Sequence, residues 1–350
     1  MPRQLEHRDC VKWDSWANAI FELLFQATNL TMRTVFTLKD LPPPPPGKSG
    51  WPWTTHNKLL PENIPDQSEW PRLTIVTPSY NQGKFLEATI RSVLLQGYPN
   101  LEYIIIDGGS TDNSVETIKK YEKYLFYWHS QKDKGQADAI NQGLERSTGE
   151  ILGWINSDDA YVKGTFHKIV KAFQSHPDSI VVHGNRILIN KKGDVTGLIA
   201  LPPFEPKTLI YNVCSETAFW QRSAMKQAGL LKSELQFAID LEFFGRLYQY
   251  GKFLKLKDYL GYFRCYSETK SATIAHIGRE EAATEWRRLF GSENRNWEIK
   301  KQKNWVQFWQ FSTELIKHPR LIGLPYLFHR LSVGGMIALA RRQPGMKDEG

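Results

Sequence analysis

Residues 73–112 read LTIVTPSYNQGKFLEATIRSVLLQGYPNLEYIIIDGGSTD. Leu73–Thr77 is a short apolar run, Phe85, Leu86, Ile90, Val93 and Leu94 recur at helical spacing, and Glu102–Ile106 is a second apolar run. Strand, helix, strand in that order predicts a crossover joining two parallel strands, because parallel neighbours cannot be linked by a tight turn. The alternation continues outward. Val115, Ile118, Tyr121 and Leu125 mark a second helix, with Asp112 or Ser114 available as its cap. Phe126–His129 is a third strand, Ile140 and Leu144 lie on a third helix, and Ile151–Ile155 is a fourth strand. The chain is therefore expected to be α/β, with a Rossmann-type mixed sheet covered by helices on both faces. Beyond Asp159 the rhythm loosens. Phe166, Ile169, Val170 and Phe173 form a helix stripe; Ile180–His183, Arg186–Asn190 and Val195–Leu201 read as strands; Asp240–Tyr250 reads as a helix.

In an open parallel sheet, ligands bind beyond the carboxyl ends of the strands. The residues that follow each strand are small, polar or acidic: Pro78-Ser79-Tyr80-Asn81, then Asp107-Gly108-Gly109-Ser110-Thr111-Asp112, then Asp133-Lys134-Gly135-Gln136 with Asn141, then Asn156-Ser157-Asp158-Asp159. Asp158 and Asp159 repel one another at a strand end unless a cation neutralises them. A hard divalent ion, Mg²⁺ or Mn²⁺, is the expected partner, and such ions also bind substrate phosphates. A solvated turn or helix cap is the plainer alternative. Asp107 can accept the imide N–H of a pyrimidine base, Gly108 lets backbone approach a ligand, Tyr80 can stack on a base, and Lys134-Gly135 before a helix favours a diphosphate. Each of these also has a structural explanation as cap, rim or solvated loop.

Taken in order and spacing, these four groups resemble the family-2 inverting glycosyltransferases of the GT-A fold, over roughly residues 72–270. The resemblance implies a nucleotide-diphosphate sugar donor, uridine- or thymidine-linked, held by Pro78, Tyr80, Asn81, Asp107, Gly108, Ser110, Lys134, Gly135, Asn141 and Asn156. It implies an acidic metal motif at Asp158 and Asp159. Many members read Asp-x-Asp there; Asn156 replaces the first Asp, so the metal contact falls to Asp158 or Asp159. Inverting transfer needs a base for the acceptor hydroxyl. Phe237-Ala238-Ile239-Asp240-Leu241-Glu242 resembles the segment that carries it, with Asp240 as the choice, Glu242 as runner-up and a helix cap as the alternative for Asp240. Ser215–Trp220 with Arg222 resembles the acceptor-side loop, so Thr217, Trp220, Arg222 and Glu242 are placed on that side, with buried packing the alternative for Trp220. Arg264, Tyr266 and Lys270 lie where members close a loop over the diphosphate. The Gln-x-x-Arg-Trp motif of processive synthases is lacking, which implies transfer of single sugars. The implied acceptor is a saccharide or lipid-linked saccharide in polysaccharide or cell-envelope synthesis.

Composition bounds these readings. The chain has 350 residues, 41% apolar, enough for a substantial core. Its net charge of +8 is concentrated towards residues 276–350. No basic stripe interleaved with aromatics lies near the strand ends, which argues against nucleic acid. Cys10, Cys214 and Cys265 form no Cys-x-x-Cys pair, so neither a disulfide framework nor a zinc site is expected and a reducing compartment fits. Residues 1–20 carry no long apolar run, so a cytoplasmic location is expected, at the inner face of the plasma membrane if the C-terminal region touches lipid. Residues 1–71 read as an N-terminal extension with an amphipathic pattern at Trp13–Phe25 and a stiff spacer at Pro42–Pro46. Residues 72–160 read as the nucleotide half and 161–275 as the acceptor half. Residues 276–350 read as a basic helical extension, with Trp305, Phe308, Trp309 and Leu321–Ala340 offering peripheral membrane contact within residues 300–342. Gly47-Lys48-Ser49 is no phosphate loop, since Pro42 stands where its first glycine belongs. Two rival readings stand beside this one: a sugar-1-phosphate nucleotidyltransferase, disfavoured by the loop Ser79–Gly83, and a non-catalytic nucleotide- or sugar-binding homologue, disfavoured by Asp158, Asp159 and Asp240.

Overall fold

The computed structural model describes residues 35–61, 69–205 and 213–291. The amphipathic pattern at Trp13–Phe25, Cys10 and the expected membrane segment 300–342 lie outside them. The first half follows the sequence reading closely. Strand β1 (Leu73–Ser79) leads to helix α1 (Gly83–Leu94), β2 (Leu101–Asp107) to α2 (Ser114–Tyr121), and β3 (Tyr127–Ser130) to α3 (Gln136–Arg146), followed by β4 (Ile151–Trp154). Both β1 and β2 are buried at every position, which is why their sequences run apolar without alternation. β1 pairs in parallel with β2 on one side and β4 on the other, and β2 pairs in parallel with β3. Gly143 lets α3 lie close on β1, since a Cβ there would sit 2.4 Å from a methyl of Val76.

The second half turns the sheet mixed. After β5 (Ala160–Tyr161), α4 (Thr165–Ser175), β6 (Ser179–Ile189) and β7 (Val195–Ile199) comes β8 (Ala218–Gln221), which runs antiparallel between β4 and β6. Helices α5 (Arg222–Ala228) and α6 (Ile239–Leu247) precede β9 (Lys252–Arg264), which runs parallel to β6 and antiparallel to β5. Short α7 (Lys270–Thr273) and α8 (Ala275–Phe290) follow. Among the described residues the sheet has nine strands in the order β3-β2-β1-β4-β8-β6-β9-β5, with β7 paired to β6. Ile180–His183 and Arg186–Asn190, expected as separate strands, are one strand, β6. The strand β9 has no counterpart in the sequence reading, because its lysines Lys252, Lys255 and Lys257 break up the apolar signal.

Two apolar layers cover the sheet. One joins α1, α2 and α4 to β1 and β2; the other joins α3, α5, α6 and α8 to β4 and β8. Residues 35–61 belong to the first layer and do not stand off as a spacer: Phe36 and Leu41 are buried in it. Arg91 of α1, fully buried, ties them down. Its guanidinium donates to the carbonyls of Pro42 (2.7 Å), Pro52 (3.1 Å) and Trp53 (3.0 Å) and to the Tyr121 hydroxyl (3.0 Å). No helix among the described residues is long and apolar enough to cross a membrane.

Candidate functional site

The carboxyl ends of β1, β2 and β4 open into a cleft of about 1030 Å³. One wall is Pro78, Ser79, Tyr80, Gly108 and Gly109, the floor is Trp154 and Asn156–Asp159, and the far wall brings Arg186, Cys214–Glu216, Phe237, Ile239 and Asp240. Phe263, Arg264, Tyr266 and Glu268–Ser271 close the remaining side. Of the residues singled out from sequence, Pro78, Tyr80, Gly108, Gly135, Asn156, Asp158, Asp159 and Asp240 line this cleft. Tyr80 is 62% exposed at its mouth, free to stack on a ligand.

On the first wall, the loop after β2 is internally satisfied. Asp107 is fully buried and accepts from Ser110 N (2.9 Å), Ser110 Oγ (2.6 Å) and Ser130 Oγ (2.7 Å). The expectation that it reads a base imide is corrected: its oxygens shape the loop after β2. Asn81 and Ser110 buttress the same loop. Asn81 adopts a left-handed backbone at φ 52°, a conformation Asn tolerates better than most residues, and its Oδ1 accepts from Thr111 N at 2.8 Å. Gly108 has a steric reason to be glycine, since a Cβ would meet Asp133 Oδ2 at 2.6 Å. Lys134 lines a smaller neighbouring recess with Gly135 and Lys270. Asn141 faces elsewhere, bonding Leu231 N (3.0 Å) and O (2.8 Å).

The floor is electrostatically unsettled. The Thr89 hydroxyl on α1 lies 2.9 and 2.6 Å from the carbonyl oxygens of Ser157 and Asp159 and so fixes the acidic turn. Asp159 is 1% exposed; its Oδ1 accepts from Arg264 N at 2.9 Å. Asp158 is half-buried, and its Oδ2 accepts from the Tyr266 hydroxyl at 2.8 Å. Burial pushes both carboxyls above the usual range, and repulsion from Asp158 and Glu216 pushes Asp159 further. Protein groups thus leave this pair short of compensating charge. Among the described residues no three His, Cys, Asp or Glu side chains are grouped to hold a metal unaided. The chemistry of these carboxyls suits a hard divalent ion that keeps water and takes ligand phosphates; of the two, Asp158 is half-open to the cleft and Asp159 is buried behind it.

On the far wall, buried Glu216 faces Arg186, whose Nη1 stands 3.5 Å from its Oε1. Asp240 opens α6 with Oδ1 accepting from Leu241 N at 2.8 Å, and burial pushes its carboxyl up to about 6. A carboxylate of that basicity can accept a proton near neutral pH.

Four sequence expectations are corrected. Trp220 is fully buried, edge-on to Trp154 at 5.3 Å, so it packs the core and stacks on no ligand. Thr217 is buried and donates to Cys214 O at 3.0 Å. Arg222 sits at the opposite end of β4, donating to Gly149 O (2.6 Å) and Ser147 Oγ (2.7 Å). Glu242 is fully buried away from the cleft, paired to Arg246 Nη2 (2.9 Å) and Arg288 Nη2 (2.8 Å), which excludes it as a base. Arg186, Glu216 and Asp133 were missed as site residues. Arg186 stands mid-strand with no motif to mark it, whereas Glu216 and Asp133 sat inside quoted segments and could have been chosen.

Residues 74–221 match the family model described as glycosyl transferase family 2. The putative teichuronic acid biosynthesis glycosyltransferase TuaG of Bacillus subtilis is 36% identical over 101 residues, 28% of this chain and 40% of that protein. Glycosyltransferase GlyG of Streptococcus pneumoniae is 33% identical over 116 residues, 32% of this chain and 38% of that protein. The matches span well under half the length of these curated relatives. The mannosyltransferase PcManGT from Pyrobaculum calidifontis, solved in complex with GDP-Man and Mn²⁺, superposes with TM-score 0.50 at 16% identity, over 82% of this chain and 84% of that chain. That likeness shows a shared fold.

Proposed function

Starting from residues 74–221 as a glycosyltransferase family 2 domain on the GT-A fold, we propose that this chain moves a sugar from a nucleotide-diphosphate sugar to an acceptor hydroxyl with inversion at the anomeric carbon. The observation that carries the reading is Asp240 and Asp158 lining one cleft, the first with its carboxyl pushed up to about 6. The nucleotide lies against Tyr80, Pro78 and Gly108. Asp158 is the metal ligand, and Mg²⁺ or Mn²⁺, when bound, supplies positive charge to the departing diphosphate. Lys270 and Arg264 add cationic charge on the same side. Asp240 takes the acceptor hydroxyl proton as that oxygen bonds to the anomeric carbon. The bond from that carbon to the diphosphate oxygen breaks on the opposite face, releasing the nucleoside diphosphate. The name of the relative TuaG, a teichuronic acid biosynthesis glycosyltransferase, favours a role in polysaccharide synthesis; the acceptor in this reading is a saccharide or lipid-linked saccharide, met at the cytoplasmic face of the membrane.

The test is calorimetric binding of UDP, dTDP, GDP and CMP with and without Mn²⁺. A metal-dependent response to one diphosphate is expected and names the donor nucleotide. Silence towards all four would sink the reading and leave a non-catalytic homologue. Binding to anionic liposomes at low salt checks the membrane-facing acceptor.

A further inference from the structure

The loop Gln236–Ala238 enters α6 with backbone N–H groups that the helix itself leaves without partners. All three are taken by one side chain from a different element. Glu281 of α8 accepts from Gln236 N on Oε1 (2.9 Å) and from Phe237 N (2.8 Å) and Ala238 N (3.0 Å) on Oε2. The approach of α8 is close: a Cβ at Gly278, one turn before Glu281, would fall 2.1 Å from the Phe237 ring. Buried Ala282 and Trp286 fix the same face of α8 on the core.

Asp240 is the second residue of α6, in the first turn, from which an acidic side chain can reach back to the N–H groups ahead of the helix as in a capping box. Here its carboxyl takes the N–H groups of Leu241 (2.8 Å) and of its own residue and none from the segment ahead of the helix, and it lines the cleft. We propose that Glu281 is a positioning residue for the base: by occupying the three donors ahead of α6, it denies them to Asp240 and keeps that carboxylate turned into the cleft. The proposal rests on Asp240 being the base.

The charges around the pair agree with this division. Burial would raise Glu281, but the three backbone N–H groups outweigh it and hold the carboxyl below its ordinary range, so Glu281 is an anion throughout the working pH. Its charge sits at the positive end of α6, where it offsets the helix dipole that would otherwise draw Asp240 down. Asp240 is faced by Glu216 and Arg186 across the cleft and lies near the buried Cys214 thiol. Lys270 faces Glu281, and its Nζ donates to Gln136 Oε1 (2.9 Å) and Gln236 O (3.3 Å). Were Asp240 to take over the N–H groups, it would become a weaker base, because a carboxylate accepting several backbone bonds titrates low.

Glu281→Gln and Glu281→Ala are compared with the unaltered chain and with Asp240→Asn. The readouts are donor affinity, kcat against pH, and the ¹³C carboxyl titration of Asp240, assigned by its loss in Asp240→Asn. In Glu281→Gln, kcat is expected to fall about tenfold, as for a misplaced catalytic group, with donor affinity kept. The acid limb and the Asp240 titration should both move to lower pH. An Asp240 titration that stays put in a folded Glu281→Gln overturns the proposal, whether kcat is retained or falls together with donor affinity. Should Glu281→Ala fail to fold, the near-isosteric Gln variant decides. Transfer retained in Asp240→Asn would instead remove the base assignment, while the carboxyl titration still reads the Glu281 contact directly.

Discussion

The two sides of the cleft treat their carboxylates in opposite ways. Behind β2, Asp107 has both oxygens occupied by Ser110 and Ser130. Beside it, burial would raise Asp112, but bonds from Ser114 and Gly83 outweigh it and hold that carboxyl low. On the floor and far wall, Asp158, Asp159, Glu216 and Asp240 are all pushed up by burial with few donors to answer them. Around Asp107 and Asp112 the first side is finished within the protein and serves as scaffold; Asp133 beside Gly108 is the exception, its carboxyl also pushed up by burial. The second is left electrostatically incomplete, and such groups are where ligands and protons can still be accommodated.

The largest expected effect tests the unfinished side. Asp240→Asn should lower kcat by about 10³, in the range lost with a general base, while nucleotide binding measured by calorimetry stays within a few-fold. Transfer at near-normal rate would break the contrast. Next comes the finished side. Asp107→Ala leaves Ser110 N–H and two hydroxyls without their acceptor and should cost about 2–3 kcal/mol in urea unfolding. Unchanged stability with lost nucleotide binding would return Asp107 to the ligand.

A smaller effect has a sign that separates function from stability. The Asp240 carboxyl is raised in the folded chain to about 6, above its unfolded value near ~3.9. Ionising it therefore costs folding free energy, fully present above pH about 6 and absent below the unfolded value. Asp240→Asn should stabilise the protein at pH 7 by about 1–2 kcal/mol, after allowance for solvent reaching the carboxyl, and that gain should vanish below about pH 4. Thermal melts across that interval check it; a loss of stability at pH 7 would contradict the burial argument. The last effect, of similar size, is at Tyr266→Phe. It frees Asp158 Oδ2 and should change Mn²⁺-dependent nucleotide affinity by about 1.5 kcal/mol, the low end for a hydrogen bond to a charged group. Abolished binding would mean that the phenol itself touches the ligand.

How much of this was legible in the sequence follows the same division. Strands β1, β2 and β4 are largely apolar runs followed by polar ends, so the strands and the polar groups at their ends could be read directly. The far wall could not. Arg186 lies inside β6 between Asn185 and Ile187 with no motif to mark it, and β9 hides behind its lysines. Asp240 was reached only through family resemblance, with Glu242 close behind it. Residues two apart on a helix point in very different directions. Spacing alone could not tell which would meet the cleft and which would be locked between Arg246 and Arg288. Trp220 and Arg222 failed for the same reason, since residue type suggests a sugar or phosphate contact and only packing decides.

Arg91 sets a limit on how this protein can be cut. The family match begins at residue 74, yet the guanidinium inside the matched segment finds three of its four partners at Pro42, Pro52 and Trp53. A fragment trimmed to the match would keep a buried cation with one tyrosine for company and bare the apolar surface that Phe36 and Leu41 cover. Such a fragment should precipitate when expressed, whereas one starting at residue 35 keeps every partner of that guanidinium.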